Sequence, residues 1–183
     1  SLVLAFVNAY YIDQYGNLWV KGPTVDGYIE EWEIIEQDVV QADAYSFYGS
    51  LLKKDGTLWY WDNAVSIYDP LLISYSIKEI VGVSRNWMRV VSLDNDLWEF
   101  RIDKKVELEP GSYEVAEEKI QVQGKRLIEN VKYYTYNNSI GVSFAICQND
   151  TLWGWGNDTL GVLGTGEISG LVEQPVRIMD NVQ

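Results

Sequence analysis

The chain has no histidine and a single cysteine. Without histidine it lacks the commonest general base, every Ser-His or Cys-His nucleophile pair and the commonest zinc ligand. The lone Cys147 has no partner for an internal disulfide, and its place between Ile146 and a turn suits a small buried apolar side chain. Basic residues are scarce as well: 14 Lys plus Arg stand against 27 Asp plus Glu, a formal net charge of −13 with a pI near 4.3. A polyanion such as DNA is repelled by that charge, so nucleic acid is not an expected partner. No apolar run reaches the roughly 18 residues of a membrane span, which predicts no transmembrane helix and no membrane insertion. No signal peptide is visible, although a chain opening on Ser1 is compatible with a leader removed by processing.

What the chain does have is aromatic and repeated. Its 183 residues are 47% hydrophobic and include 8 Trp, 13 Tyr and 4 Phe, enough for one compact domain with a sizeable core. Four of the eight Trp follow a Leu directly after a turn: Leu18-Trp19, Leu58-Trp59, Leu97-Trp98 and Leu152-Trp153. Six residues before each Leu stand Ile12, Leu52, Val91 and Ile146, and seven before it Tyr11, Leu51, Val90 and Ala145. Two residues before it come Gly16, Gly56, Asn95 and Asp150, types that tolerate positive φ in a tight hairpin turn. Each unit closes on an apolar pair, two mostly polar residues and a Val, as in IIEQDV, LIENV and IMDNV, with SIKEIV a looser version. The Leu-to-Leu spacings of 40, 39 and 55 residues match one propeller blade per unit, with insertions falling after the Trp. The approximate repeats are 1–40, 41–81, 82–131 and 132–183.

Within a unit the apolar runs are short, rich in Val, Ile, Tyr and Trp, and bounded by Asp, Asn and Gly, which is a strand pattern. Two strands flank each turn, for example Phe144 to Cys147 and Leu152 to Trp155, and one or two more follow. The expected fold class is all-β, a propeller-like array of about four blades of about four antiparallel strands each, incomplete or irregularly closed. Glu30 to Gln37 and Tyr113 to Ile120 leave a helical turn or two open as a second reading. The repeated Trp are expected to be mostly buried pegs between blades.

The last unit resembles the repeat of the regulator-of-chromosome-condensation family in its bacterial form. Ala145-Ile146, Asn149-Asp150, Leu152 to Gly156, Asn157, Gly161, Leu163, Gly164 and Pro175-Val176 fill that family's Ala-Leu strand, turn, Leu-Trp-x-Trp-Gly strand, glycine-rich loop and closing Pro-Val. The second unit matches in part, through Leu51, Leu52, Asp55, Gly56 and Leu58 to Trp61, and the first and third keep only the strands, the turn and the Leu-Trp pair. The resemblance implies a β-propeller, commonly of seven blades. Four units do not complete such a ring, which leaves a piece of a longer chain, a smaller or irregular propeller, or a ring shared by two chains. The resemblance also implies a His ten residues before each Leu, near the central channel; here Asn8, Tyr48, Trp87 and Val142 stand there. At least one of Gly161 and Gly164 should have positive φ.

No catalytic, cofactor or metal site is expected. Asp94 and Asp96 flank Asn95 without the Gly and Glu of a calcium loop, and read as turn residues. The glycines after Trp155 do not follow Gly-x-Gly-x-x-Gly spacing and read as a backbone bend. The acidic runs Glu30, Glu31, Glu33, Glu36 and Glu114, Glu117, Glu118 read as solvated faces. The leading functional expectation is a non-catalytic binding or protein-interaction module, with Trp32 and Trp87 as the ligand-binding candidates because the repeat demands neither. A carboxylate-dependent carbohydrate hydrolase across the channel is the alternative, recognisable by two carboxylates about 5 to 10 Å apart in a cleft. A purely structural segment is the third. The partner class is a protein or a glycan, with homodimerisation through open propeller edges, and resemblance implies a bacterial extracellular or cell-surface setting, with a cytoplasmic one as the alternative. Exchange-factor activity on a small GTPase is disfavoured by acidic, degenerate units.

Overall fold

The computed structural model describes residues 2–4, 9–24, 27–45, 48–62, 67–108, 115–137 and 139–182. They form four four-stranded antiparallel sheets, each built from strands adjacent in sequence. The first sheet contains β1 (Leu2–Leu4), β2 (Ala9–Ile12), β3 (Leu18–Thr24) and β4 (Gly27–Glu36), and the second β5 (Val39–Tyr45), β6 (Tyr48–Lys53), β7 (Leu58–Trp61) and β8 (Leu71–Ser74). The third contains β9 (Ile77–Val83), β10 (Trp87–Ser92), β11 (Leu97–Leu108) and β12 (Val115–Ile128), and the fourth β13 (Val131–Asn137), β14 (Val142–Cys147), β15 (Leu152–Asp158) and β16 (Gly170–Met179). Two compact units result, one of residues 1–90 with 100–124 and the other of 91–99 with 125–183.

One turn is built four times. The N–H five residues before the Leu (Asp13, Lys53, Ser92, Cys147) donates to the carbonyl directly before the Leu (Asn17, Thr57, Asp96, Thr151). The residue two before the Leu (Gly16, Gly56, Asn95, Asp150) donates back to that first residue's carbonyl. Its φ is 89°, 81°, 63° and 57° in turn, which is why only Gly, Asn and Asp occupy it. The carbonyl of the same residue then accepts from a second repeated position: Val39 N–H donates to Gly16, Ile77 to Gly56, Val131 to Asn95 and Val182 to Asp150. Directly ahead of each of these donors sits a non-glycine residue of positive φ, Asp38, Ser76, Asn130 and Asn181. The closing Val of the sequence pattern is therefore a link from the connection after one sheet to the turn within it. In the second unit that link is Ile77, in LISYSI, rather than Val81 at the end of SIKEIV.

The alternation of a strand separates the Leu from the Trp. Ile12 pairs with Leu18, Leu52 with Leu58 and Ile146 with Leu152, which sets these on one face. Tyr11 pairs with Trp19, Leu51 with Trp59 and Ala145 with Trp153, on the other. In the first unit the Leu face of the first sheet (Tyr10, Ile12, Leu18, Val20) meets the Trp face of the second (Leu51, Trp59, Trp61) in one core, with Tyr10 and Trp61 rings 5.9 Å apart. Burying a Leu in such a seam contributes about 1.5–3 kcal/mol. Gly49 is needed there, since a Cβ on it would lie 2.3 Å from the Trp61 ring.

Both helical alternatives are corrected. Glu30 to Glu36 runs within β4, with Ile34 paired to Trp19 and Glu33 to Val20, and Val115 to Ile120 lies in β12; Tyr113 and Glu114 lie outside the described residues. Ile34 meets Trp19 and Glu33 meets Val20 across the strands, and that pairing outweighs the helix propensity of Glu30, Glu31, Glu33 and Glu36.

Candidate functional site

The repeated Trp are mostly buried, though in the first three units less completely than the Leu beside them. Leu18, Leu58 and Leu97 are fully buried, whereas Trp19, Trp59, Trp98 and Trp153 each keep part of their surface exposed. The indole lies beside the hairpin turn and its N–H is used there: Trp19 Nε1 donates to Asp13 Oδ2 at 3.0 Å, Trp59 Nε1 to Thr57 Oγ1 at 2.7 Å and Trp153 Nε1 to Thr151 Oγ1 at 3.0 Å. The threonine hydroxyl passes its own proton on, to Asp55 Oδ1 and Asn149 Oδ1, each at 2.7 Å. The Thr57 hydroxyl and N–H accordingly hold the Asp55 carboxyl below its ordinary range. A Trp needing a polar partner for its N–H settles at a seam's rim, where a Leu does not.

Two clefts lie at the same point of the repeat, between a connection and the turn that follows it. The first, of about 900 Å³, lies between Ile34 to Asp38 and Lys53 to Asp55. It is filled with ion pairs: Lys53 Nζ stands 2.7 Å from Glu36 and 5.0 Å above the Trp59 ring, and Lys54 Nζ 3.0 Å from Asp38. The second, of about 630 Å³, lies between Leu127 to Asn130 and Cys147 to Thr151, with Trp153, Pro175 and Arg177 along its wall. Cys147 replaces Lys53 at the position five before the Leu, so no cation covers the indole from there. Its thiol is pushed up by burial, partly offset by a hydrogen bond with Thr151. Arg177 is turned to Asp180. The second cleft therefore offers an indole, a proline ring and a Leu, edged by Glu129, Asn130 and Gln148. Sequence reading missed it, because its walls come from segments distant in sequence, joined by the Gln148 N–H donating to the Asn130 carbonyl and by the pairing of Val131 with Cys147.

Trp32 is exposed on β4 and Trp87 is half-buried at the start of β10, so the two candidates stand on different sheets. The Arg89 guanidinium carbon lies 4.5 Å from the Trp87 ring centroid, a stacking contact that occupies one face of the indole. Of the positions ten before the Leu, Tyr48, Trp87 and Val142 each open the second strand of their sheet, and Asn8 lies outside the described residues. The glycine-rich loop has the expected bend: Gly161, Gly164 and Gly166 have φ of 67°, 71° and 90°. It hangs on buried Asp158, which accepts from Leu163 N–H at 2.9 Å and Ser169 N–H at 3.4 Å, and so seats Leu163 in the core.

The carboxylates hold structure. Asp96 accepts from Arg126 and from Asn130 N–H, both at 3.1 Å, as a turn residue should. Asp62 is buried, 2.7 Å from Lys104 Nζ and 3.0 Å from the Tyr60 hydroxyl, whose pKa is raised by burial and then by that carboxylate. Among the described residues no group of three or more His, Cys, Asp or Glu is placed to hold a metal ion. Side chains of Glu117 and Glu118 lie outside the described set.

Four-stranded antiparallel sheets of strands adjacent in sequence, the first two packed Leu face to Trp face in one core, are the blades of a β-propeller. The chain has the fold of propellers of the regulator-of-chromosome-condensation (RCC1) type. It is similar to Prp20p of Saccharomyces cerevisiae (TM-score 0.66, 16% identity, 99% of this chain and 50% of that one) and to the same yeast RCC1 protein in complex with Kap60 (TM-score 0.65, 16% identity, 99% and 48%). Human WBSCR16 is similar too (TM-score 0.60, 13% identity, 98% and 52%). The chain thus spans about half the length of these propellers. No family model and no curated protein matches it.

Proposed function

We propose that the chain is a non-catalytic protein-binding module that uses a rigid blade scaffold to present the cleft beside Trp153. The observation that carries this reading is the likeness over 99% of the chain to a propeller solved with a bound protein, Kap60. The other yeast structure is described by binding to Gsp1p and histones, which also supports a protein as partner. The cleft suits an apolar side chain of the partner laid between the Trp153 indole, Pro175 and Leu127, since aromatic, well-packed pockets carry most interface energy. A net charge of −13 favours a partner with a basic surface, by steering its approach. Trp32 and Trp87 are lesser candidates, the second because Arg89 already covers one of its faces. The bacterial surface or secreted setting belongs to this proposal and rests on the resemblance of the last repeat alone.

The carbohydrate-hydrolase alternative is less favoured, because Glu36, Asp38 and Asp55 in the first cleft are each held by Lys53, Lys54 or Thr57. Partner capture on the immobilised chain, run beside a glycan array, separates the readings. A protein partner is expected whose affinity falls about tenfold or more with Trp153→Ala, a loss of about 1.4 kcal/mol or above. Binding of glycans alone, or release of sugar from an oligosaccharide, would replace the reading.

A further inference from the structure

The second and fourth sheets build the same frame around their repeated Trp and fill it differently. Lys53 pairs with Val39 and Cys147 with Val131, each five residues before its Leu and each beside an irregularity in the pairing. Lys53 N–H donates to the Thr57 carbonyl and Cys147 N–H to the Thr151 carbonyl, both at 3.0 Å. The two indoles are tied alike, Trp59 Nε1 to the Thr57 hydroxyl and Trp153 Nε1 to the Thr151 hydroxyl. In the second sheet an ammonium occupies the frame: Lys53 Nζ stands 5.0 Å from the Trp59 ring centroid and 2.7 Å from Glu36, and only 21% of the Lys53 side chain is exposed. In the fourth sheet the side chain of Cys147 ends at its γ atom, well short of such a place. Trp153 accordingly lines an open cleft of about 630 Å³, where Lys53 lines the first one.

We propose that the partner protein fills this cleft with a lysine side chain, its ammonium over the Trp153 indole and its stem along Leu127 and Pro175. The inference rests on the cleft being a protein's docking site and names the side chain that enters it. A lysine joins the two features the place calls for: an apolar stem for the leucine and the proline, and a cation for the face of the indole. The fold already makes this contact once within itself, between Lys53 and Trp59. The charges around the cleft admit it. Arg177, the cation on the wall, is paired with Asp180, whose Oδ1 lies 2.8 Å from Arg177 Nε. Glu129, which also lines the cleft, has 60% of its side chain exposed and gives the ammonium a carboxylate to share with Arg126, now 2.7 Å from it. A net charge of −13 draws a lysine-bearing surface toward the chain.

Titration of the full chain with Nα-acetyl-lysine methylamide, and separately with its uncharged norleucine analogue, tests the proposal through the indole N–H resonance of Trp153, assigned by its loss in Trp153→Phe. The signal belongs to one side chain, so attraction of a cation to acidic groups elsewhere leaves it in place. The lysine compound is expected to shift it saturably and to bind about threefold or more tighter than the norleucine compound. Cys147→Lys, which supplies the cation from the chain itself, should abolish the response; the comparison of the two compounds on the wild type needs no variant. Equal binding of both compounds, no response to the lysine compound, or a response undiminished in folded Cys147→Lys overturns the proposal. The docking site itself fails by a different result, a captured partner whose affinity ignores Trp153→Ala. A partner that binds through Trp153 equally well after its lysines are acetylated leaves the docking site standing and removes the lysine.

Discussion

At the scale of single residues, the Leu-Trp pair divides two tasks between neighbours pointing in opposite directions. The Leu fills a seam, and the Trp lies at its rim and ties its indole N–H to the turn. In the first unit the acceptor is Asp13, and this gives the chain a pH-dependent element. Partial burial alone would raise the Asp13 carboxyl, but the Asn17 side chain, the Trp19 indole and the N–H groups of Asn17 and Tyr15 together hold it well below its ordinary value of 3.8. A carboxyl whose folded pKa is depressed adds stability above its unfolded pKa and loses it as pH falls through the folded one. Asp13→Asn should therefore lower the urea midpoint near neutral pH, with the difference from wild type shrinking progressively below about pH 3.8. A difference that stays constant with pH would show that the indole bond needs no charge. Asp43 works in the opposite sense: burial pushes its carboxyl up, so its contribution fades as pH rises.

At the scale of elements, backbone conformation separates what the sequence shows from what it hides. The four hairpin turns were legible, since Gly16, Gly56, Asn95 and Asp150 are chemically suited to positive φ. The connection turns were less so: Asp38, Asn130 and Asn181 are of the same suited types, but no glycine marks the position and Ser76 breaks the pattern in the second repeat. The strand at Glu30 to Glu36 was partly masked by helix-forming Glu, and only pairing with β3 decides it. The cleft beside Trp153 was illegible, as its walls come from segments about 20–25 residues apart that meet where Gln148 N–H donates to the Asn130 carbonyl and Val131 pairs with Cys147. One glycine tests this level sharply. Gly156 has φ of 115° and pairs with Val142, and a Cβ there would lie 2.1 Å from the Gly141 carbonyl oxygen. Gly156→Ala is expected to destabilise the fold by about 1–3 kcal/mol or more in denaturant unfolding. A neutral result would mean that β14 and β15 do not approach as described.

At the scale of the whole molecule, the repeat is a ruler whose marks have different values at the ends. The family resemblance in the last unit and the likeness to yeast RCC1 agree on the propeller fold, although sequence identity is only 16%. Such divergence is tolerated because the fold needs little at each mark: an apolar side chain on the Leu face, a residue of positive φ in the turn and an N–H to meet its carbonyl.

The central claim is that the Leu of the repeat fills a buried seam, completely at Leu18, Leu58 and Leu97 and only in part at Leu152. It is tested most directly by one series of urea unfolding curves on Leu18→Ala, Leu58→Ala, Leu97→Ala and Leu152→Ala, at a dilution where the chain is monomeric. The first three should each lose about 2–5 kcal/mol as buried large-to-small changes, and Leu152→Ala distinctly less, since its face is open. Equal losses at all four positions, or small losses at the first three, would contradict it.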